Sequence, residues 1–391
     1  MRARPPDLLT AATPDAAVPG GTVPDVGAGD VGAGDVAAVD VGTVLRHGRE
    51  RVEPLLRDAV ARLDPTSRAA TAHHLGWTGA DGEPVSGGGG KAVRPALVLL
   101  AARVAGGDAL GADAAADRAV AGAAAVELVH NFSLVHDDLM DGDVERRHRP
   151  TVWARWGTAT AVLTGDAMLA LAQEVVLDAD SPHAAHAARV LAVAVRELVR
   201  GQVDDVAFER RDDVTVEQCL AMADGKTAAL LAAAGEVGAV LAGAEPAAAA
   251  ALRAYGSGLG TAFQLVDDLL GIWGDPARTG KPVLADLRAR KKSLPVTWAI
   301  QYGGRAGHEL GAWLATPARG TTTDADEADL HHAADLVERA GGRRWAGREA
   351  RRCLARAEHA LWQGTDGADA TSARARTELI ALGRSLADRE S

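Results

Sequence analysis

Residues 123–141 read Ala123-Ala124-Ala125-Val126-Glu127-Leu128-Val129-His130-Asn131-Phe132-Ser133-Leu134-Val135-His136-Asp137-Asp138-Leu139-Met140-Asp141. The run to Leu134 is mostly apolar, which predicts an internal helix, and carboxylates gather at its end. Asp137 and Asp141 are four apart, so they stack on one helix face. Asp138 lies about 100° round, close enough to support them. Carboxylates are almost never buried without partners, because desolvation is costly. Acids on an internal wall ask for hard cations, and magnesium bridging to phosphate oxygens is the commonest answer. Asp143, Glu145, Arg146, Arg147 and His148 follow. The double Arg offers planar donors to a diphosphate. An isolated pattern of this kind is more often a solvated acidic turn; the apolar approach argues against that here.

A second cluster, Gln264-Leu265-Val266-Asp267-Asp268-Leu269-Leu270-Gly271, closes another mostly apolar run. The third acid of a DDxxD pattern would stand at 271, which is Gly. Turn residues Gly274-Asp275-Pro276 come next, then Gly280-Lys281-Pro282, Asp286, Arg288, Arg290, Lys291 and Lys292. A basic loop beside metal-binding acids suits a lid over phosphate, although Lys292 reads as an ordinary surface lysine.

Two further stretches favour anions. Gly87 to Gly90, Lys91 and Arg94-Pro95 place a loop, a Lys and an Arg at a helix N-terminus. Ala92 stands where a P-loop needs Ser or Thr. Gly225-Lys226-Thr227 opens the apolar stretch 228–234; alone, that Lys would read as surface.

Composition sets the frame. Hydrophobic residues make up 47% of 391, enough for a sizeable core, while aromatics are 3% and Ala dominates, so the fold class is all-α. A net charge of −11 argues against nucleic acid as a partner. Cys219 and Cys353 suggest neither a disulfide framework nor a zinc site, which points to a reducing cytoplasm. No run of about 18 apolar residues is expected to span a membrane; the nearest, 231–252, is interrupted by Glu236, Glu245 and Pro246. The N-terminus lacks the apolar core of a signal peptide.

Residues 1–43 carry a Pro, Gly, Asp and Val near-repeat with no helical period and read as a disordered tail. Residues 44–391 read as one large helical bundle. Helices are expected at about 114–141, 158–178, 184–211, 215–243, 247–273, 292–302, 329–340, 343–364 and 371–387. Earlier helices follow the apolar spacing of Val52, Leu55, Leu56 and Val60 and the start signal at Pro95.

Taken together, GGKAVRP (89–95), HNFSLVHDDLMDGDVERRHRPT (130–151), GKTAALL (225–231), FQLVDDLLGIWGDP (263–276), GKP (280–282) and DLRARKKSLP (286–295) resemble the trans-isoprenyl diphosphate synthases of the polyprenyl synthetase family. The resemblance covers residues 45 to 385. It implies long helices around a central apolar cavity, a homodimer, and magnesium-dependent head-to-tail condensation of isopentenyl diphosphate with an allylic diphosphate. By that resemblance Asp137 and Asp141 ligate magnesium on the allylic diphosphate, with Asp138 supporting. Asp267, with Asp268 supporting, holds magnesium on the opposite side. Arg146, Lys226, Lys281 and Lys291 contact the allylic diphosphate, with Thr227 and Gln264 nearby. Lys91, Arg94, His130 and Arg147 bind isopentenyl diphosphate. Many relatives carry Asp where this chain has Gly271, which leaves the second metal shell open.

Phe132 lies five residues before Asp137, about 7.5 Å along the helix. An aromatic there followed by small Ser133 is similar to geranylgeranyl (C20) synthases, so a C20 product is expected, with farnesyl (C15) and longer chains as alternatives. A class I terpene cyclase shares the first acidic motif but has no use for Lys91 and Arg94. A non-catalytic subunit of a heteromeric synthase would be expected to lose acids that this chain keeps.

Overall fold

The structure, a computed structural model, describes residues 36, 38–79, 82–85, 90–106, 111–275, 283–316, 324–365 and 370–388. Most of the expected tail, Lys281 and the glycines 87–89 therefore lie outside the described residues. In chain order the helices are α1 (Val41–Val60), α2 (Pro65–His74), α3 (Val93–Ala105), α4 (Ala112–Asp141), α5 (Val152–Trp156), α6 (Thr158–Leu177), α7 (Ala184–Phe208), α8 (Val216–Ala223), α9 (Ala229–Leu241), α10 (Pro246–Trp273), α11 (Ala285–Arg288), α12 (Leu294–Tyr302), α13 (Gly304–Ala315), α14 (Asp324–Arg339), α15 (Gly342–Gly364) and α16 (Ala370–Ala387). The all-α expectation holds, apart from one short hairpin described below.

Helix α4 runs through the middle, packed on α3, α6 and α9, while α10 packs on α9 and α15. Both long helices are held by small residues. A Cβ on Gly256 of α10 would lie 2.2 Å from the carbonyl oxygen of Leu231, so Gly lets α10 lie against α9 at short range. The main core gathers Leu97, Leu128, Val129, Met168, Leu191, Leu241, Leu252, Leu259 and Leu265. A satellite core of Ile272, Leu287, Val296, Leu310, Leu336 and Val337 lies beyond the end of α10, built by α11 to α14.

Several boundaries differ from the expectation for local reasons. Helix α1 begins at Val41, inside the stretch assigned to the tail, because Asp40 caps it by accepting from the Gly42 N–H at 3.0 Å. The single helix expected over 215–243 is three pieces: α8, a π turn over Asp224–Ala228, and α9. Helix α8 starts on a Thr215–Gln218 capping box. Helix α14 begins at Asp324, within residues expected as a polar insert, and α13 was not expected at all. The hairpin pairs β1 (Glu145–Arg146) with β2 (Arg149–Pro150) across Arg147 and His148, whose φ values are 52° and 60°. Positive φ at both central residues is the turn geometry that matches strand twist.

The membrane expectation needs correction. Two helical segments, Asp113–Asp141 and Thr158–Leu177, are long and apolar enough to cross a bilayer by length and composition. The first is two-thirds buried (67%) within the fold and ends in the acidic cluster, as a core helix would; the second is 44% buried. Neither is an unbroken apolar run, because polar residues such as Glu127 and Asp166 interrupt them.

Candidate active site

The carboxyl ends of α4 and α10 and the π turn between α8 and α9 bring the two acidic clusters into one electrostatic neighbourhood. Asp137 is raised above the usual carboxylate range by burial, against Lys226, with Asp141 and Asp205 adding like-charge repulsion. Asp141 is raised by burial too and feels Lys226, Asp205 and Lys291. On Lys291, burial works against the charge, but Asp205, Asp268, Asp286 and Asp267 more than offset it and hold its pKa above the usual range. Lys291 therefore stands between the acids of α4 and those of α10, and Lys226 stands beside the α4 acids and Asp205.

Each acid has a distinct setting. Asp138 is buried, and its Oδ1 accepts from Arg146 Nε at 2.6 Å, while its Oδ2 has no partner. Burial pushes its pKa up to about 6, with Arg146 opposing. Asp268 is buried with both oxygens engaged: Oδ1 by Gln264 Nε2 and Oδ2 by the Leu294 backbone N–H, each at 2.8 Å. It thus fastens α12 to α10, and burial raises it to about 7. Asp267, by contrast, is exposed; like the half-buried Asp137 and the exposed Asp141, it makes no hydrogen bond among the described residues. Hard carboxylate oxygens left without protein donors are the groups that could hold a divalent cation. Between the two expected metal residues of α10, the geometry makes Asp267 the open one and Asp268 its support.

The π turn positions Lys226 and Thr227. A Cβ on Gly201 of α7 would lie 2.2 Å from the Lys226 backbone nitrogen, and one on Gly225 would lie 2.8 Å from the Glu197 carbonyl oxygen. Only this close approach lets Lys226 Nζ reach Asp205 Oδ2 at 2.6 Å. Thr227 Oγ1 donates to Gln264 Oε1 at 2.6 Å, and Gln264 passes the link to Asp268. Sites of this wider helical turn often carry function.

The basic pocket lies on the other side of Arg146. Arg94, His130, Arg147 and Glu127 interact electrostatically, with His74 beside them. His130 is driven well below its ordinary value by burial and then by Arg94 and Arg147. Burial lowers Arg94 and raises Glu127, whose Oε1 accepts from Asn131 Nδ2 at 3.1 Å. The hairpin turn carries Arg147 to the edge of Gly90, where an added Cβ would meet its guanidinium at 3.1 Å. Lys91 is exposed at the mouth of α3. Lys292 donates to the Glu209 carbonyl oxygen at 3.0 Å, in keeping with a surface role.

Phe132 and Ser133 continue the α4 wall behind Asp137, both buried. Phe132 meets His136 edge-on with ring centroids 5.6 Å apart. Ser133 Oγ turns back to the His130 carbonyl oxygen at 2.8 Å, leaving only a small side chain in the wall.

Sequence reasoning missed four groups. Asp205 carried no spacing that links it to Lys226, which it reaches only because α7 packs on the π turn. Asp286 was noted only as part of the basic loop. Glu127 and His74 gave no signal, because lone polar residues in apolar stretches do not reveal what surrounds them. His74 Nε2 is buried without a partner.

Comparison with known proteins bears directly on this arrangement. Residues 83–328 match the model of the polyprenyl synthetase family. The chain is 57% identical over 309 residues to a (2E,6E)-farnesyl diphosphate synthase of Mycobacterium tuberculosis, covering 79% of this chain and 84% of that one. It is 43% identical over 311 residues to a geranylgeranyl diphosphate synthase of the same organism, with the same coverage of 79% and 84%. A crystal structure of a polyprenyl synthetase from Streptomyces coelicolor A3(2) superposes with a TM-score of 0.80 at 48% identity, covering 89% of this chain and 99% of that one. The chain belongs to the polyprenyl synthetase family, as a trans-isoprenyl diphosphate synthase and prenyltransferase on the all-α isoprenoid synthase fold.

Proposed function

We propose that this chain condenses an allylic diphosphate with isopentenyl diphosphate and stops at a short product, C15 or C20. The observation that carries this reading is the shared neighbourhood of Asp137 and Asp141 on one helix and Asp267 on another, linked by Lys291, with Lys226 beside the first pair. Such a set needs a bridging anion with bound cations, because the acids repel and the lysines are already shared.

The carboxylates fit magnesium: Asp137, Asp141 and Asp267 are hard oxygen donors without protein partners, and Asp138 keeps one buried oxygen unsatisfied. Bound there, the metal would neutralise charge on the departing diphosphate. Lys226, Arg146 and Lys291 hold the allylic diphosphate, together with Lys281, which lies outside the described residues. Thr227 and Gln264 orient that end through their hydrogen bonds to each other and to Asp268. Lys91, Arg94, His130 and Arg147 hold isopentenyl diphosphate, and Glu127 keeps Arg94 oriented. The allylic C–O bond breaks with its electron pair leaving on the diphosphate. The isopentenyl alkene forms the new C–C bond, and loss of a proton, accepted by the released diphosphate, restores a double bond. The apolar walls of α4 and α10 exclude water from the cation.

Product length rests on Phe132 as the floor. The residue pair Phe132–Ser133 supports C20, while the greater identity to a farnesyl synthase supports C15. A homodimer is part of the same reading. Five of the ten exposed large apolar side chains among the described residues, Val162, Leu163, Leu177, Val199 and Val203, lie on the adjacent helices α6 and α7. Burying that face against a second copy would account for them. We place the enzyme in the cytoplasm, where Cys219 and Cys353, both buried free thiols, remain reduced.

The test is product mass. Purified protein receives isopentenyl diphosphate, magnesium and C5, C10 or C15 primers, and the alcohols released by phosphatase are weighed by mass spectrometry. A C15 or C20 alcohol that disappears with EDTA is the expected result. A hydrocarbon from a primer alone, or no elongation with any primer, would overturn the reading.

A further inference from the structure

A second cationic cleft lies away from the acids, between the end of α10 and the α14–α15 corner. It has a volume of about 560 Å³ and is lined by Leu269, Leu270, Trp273, Glu338, Arg339, Arg343, Arg344, Gly347 and Arg351. On α10, Leu269 and Trp273 fall roughly 160° and 120° round the helix from Asp267, and Leu270, about 60° from it, stands at the cleft's nearer edge.

Four guanidinium groups share this cleft in a chain whose net charge is −11. Among the described residues, two of the four are paired with acids and two are not. Arg339 is shared between Asp335 at 3.0 Å and Glu309 at 3.8 Å. Arg343 reaches the one lining acid, Glu338, only at 3.4 Å and lies over the Trp273 ring at 4.9 Å. Arg344 and Arg351 carry no ion pair among the described residues and are exposed. Seven positions apart, they project from one face of α15, about two helical turns or 10 Å along the axis. Closely set, like-charged groups in a concave site raise the local anion concentration and repel one another until an anion binds. Planar guanidinium forks match phosphate oxygens two at a time.

We propose that this cleft is a binding site for a diphosphate group, separate from the reacting centre. Arg344 and Arg351 would grip the phosphate oxygens, with Arg343 closing from the Trp273 side. The walls admit three carriers of that group. Leu270, only partly buried, offers apolar surface to a prenyl chain, Trp273 offers aromatic surface beside Arg343 to a nucleoside diphosphate, and inorganic diphosphate needs only the arginines. The site does not depend on the chemistry proposed for the acids, and its test involves no turnover.

Isothermal titration of the full-length protein at low salt, with EDTA present, would use inorganic diphosphate, ADP and geranyl diphosphate in turn. The paired variant Arg344→Gln/Arg351→Gln should lose one binding site or weaken it by at least about tenfold. The control Arg196→Gln/Arg305→Gln removes the same charge from exposed positions on other helices, outside the cleft lining, and should bind as the wild type does. All four positions are exposed, so both variants should keep the wild-type melting temperature. Weakening shared by all three ligands supports a site for the diphosphate group itself, and the tightest wild-type ligand names its source. Identical isotherms for the cleft variant and the wild type would overturn the proposal. An equal loss in the control would also overturn it, by reducing the effect to general surface charge.

Discussion

A Cβ on Gly271 would lie 2.3 Å from Oδ2 of Asp286 and 2.7 Å from its Oδ1. The carboxylate missing from the second acidic motif is thus replaced in space by one arriving from α11. Asp286 also acts on Asp268 and Lys291, so it belongs to the same charge cluster. Restoring the more usual residue should therefore harm the enzyme. Gly271→Asp puts a second carboxylate into occupied space, with crowding that costs about 1–3 kcal/mol in a packed site and like-charge repulsion in addition. We expect about 10–100-fold weaker apparent magnesium affinity, the range for disturbed groups around metal ligands. Gly271→Ala should fall between this variant and the wild type. Magnesium titrations of the steady-state rate check the order; a Gly271→Asp enzyme equal to or better than wild type would refute the substitution of one acid for the other.

The same pair marks the limit of what the chain reveals by itself. Helices α4 and α10 were legible because their apolar runs are long and end in acids at helical spacing. Lys226 was legible as a boundary residue, but its π turn was not: the turn depends on Gly201 of a different helix coming within contact of Gly225. Asp286 is fifteen residues from Gly271 across a loop, and no periodicity connects them. Asp268 was expected to support Asp267, but only the Leu294 N–H, 26 residues on, shows that it does so as a tether between α10 and α12. Local pattern identified elements and acids; which acid stays open was decided by contacts between segments distant in sequence.

Phe132 is the residue to shorten if the product is to grow. It is buried on the wall behind Asp137 with Ser133 offering no bulk beside it. Phe132→Ala removes the ring and should shift the main product upward by at least one C5 unit, read as prenyl alcohol mass. Some stability should go with it, about 3–5 kcal/mol for a fully packed Phe and less where the space already serves as a tunnel. An unchanged product from a folded variant would remove Phe132 as the floor.

The exposed face of α6 and α7 predicts the assembly. Leu163 and Val203 are 63% and 62% exposed, values that are costly for such side chains if nothing covers them. Leu163→Glu with Val203→Glu should convert a dimer to a monomer while leaving helix content intact. Light scattering coupled to size exclusion gives the mass directly. A wild-type chain that runs as a monomer at micromolar concentration would dispose of the dimer, and an unaltered dimer in the variant would move the interface elsewhere.

His74 gives a pH signature in the basic pocket. Burial, with Arg146 and Arg147 beside it, lowers its pKa from 6.5 to about 3. Between those values the unfolded chain binds a proton there that the folded chain refuses, so its contribution to stability is full above pH 6.5 and is lost as pH falls toward 3. Asp138 and Asp268, raised from 3.8 to about 6 and about 7, act with the opposite sign: the folded chain keeps protons that the unfolded chain releases. The wild-type curve blends these effects, and a His74→Gln comparison isolates one of them. Relative to wild type, the variant should gain stability as pH drops below 6.5, by up to about 1.4 kcal/mol per pH unit for one proton. Melting temperatures by circular dichroism at several pH values from 7.5 to 5 give the difference. Parallel curves for the two proteins would mean that His74 titrates normally and is open to solvent in the folded chain.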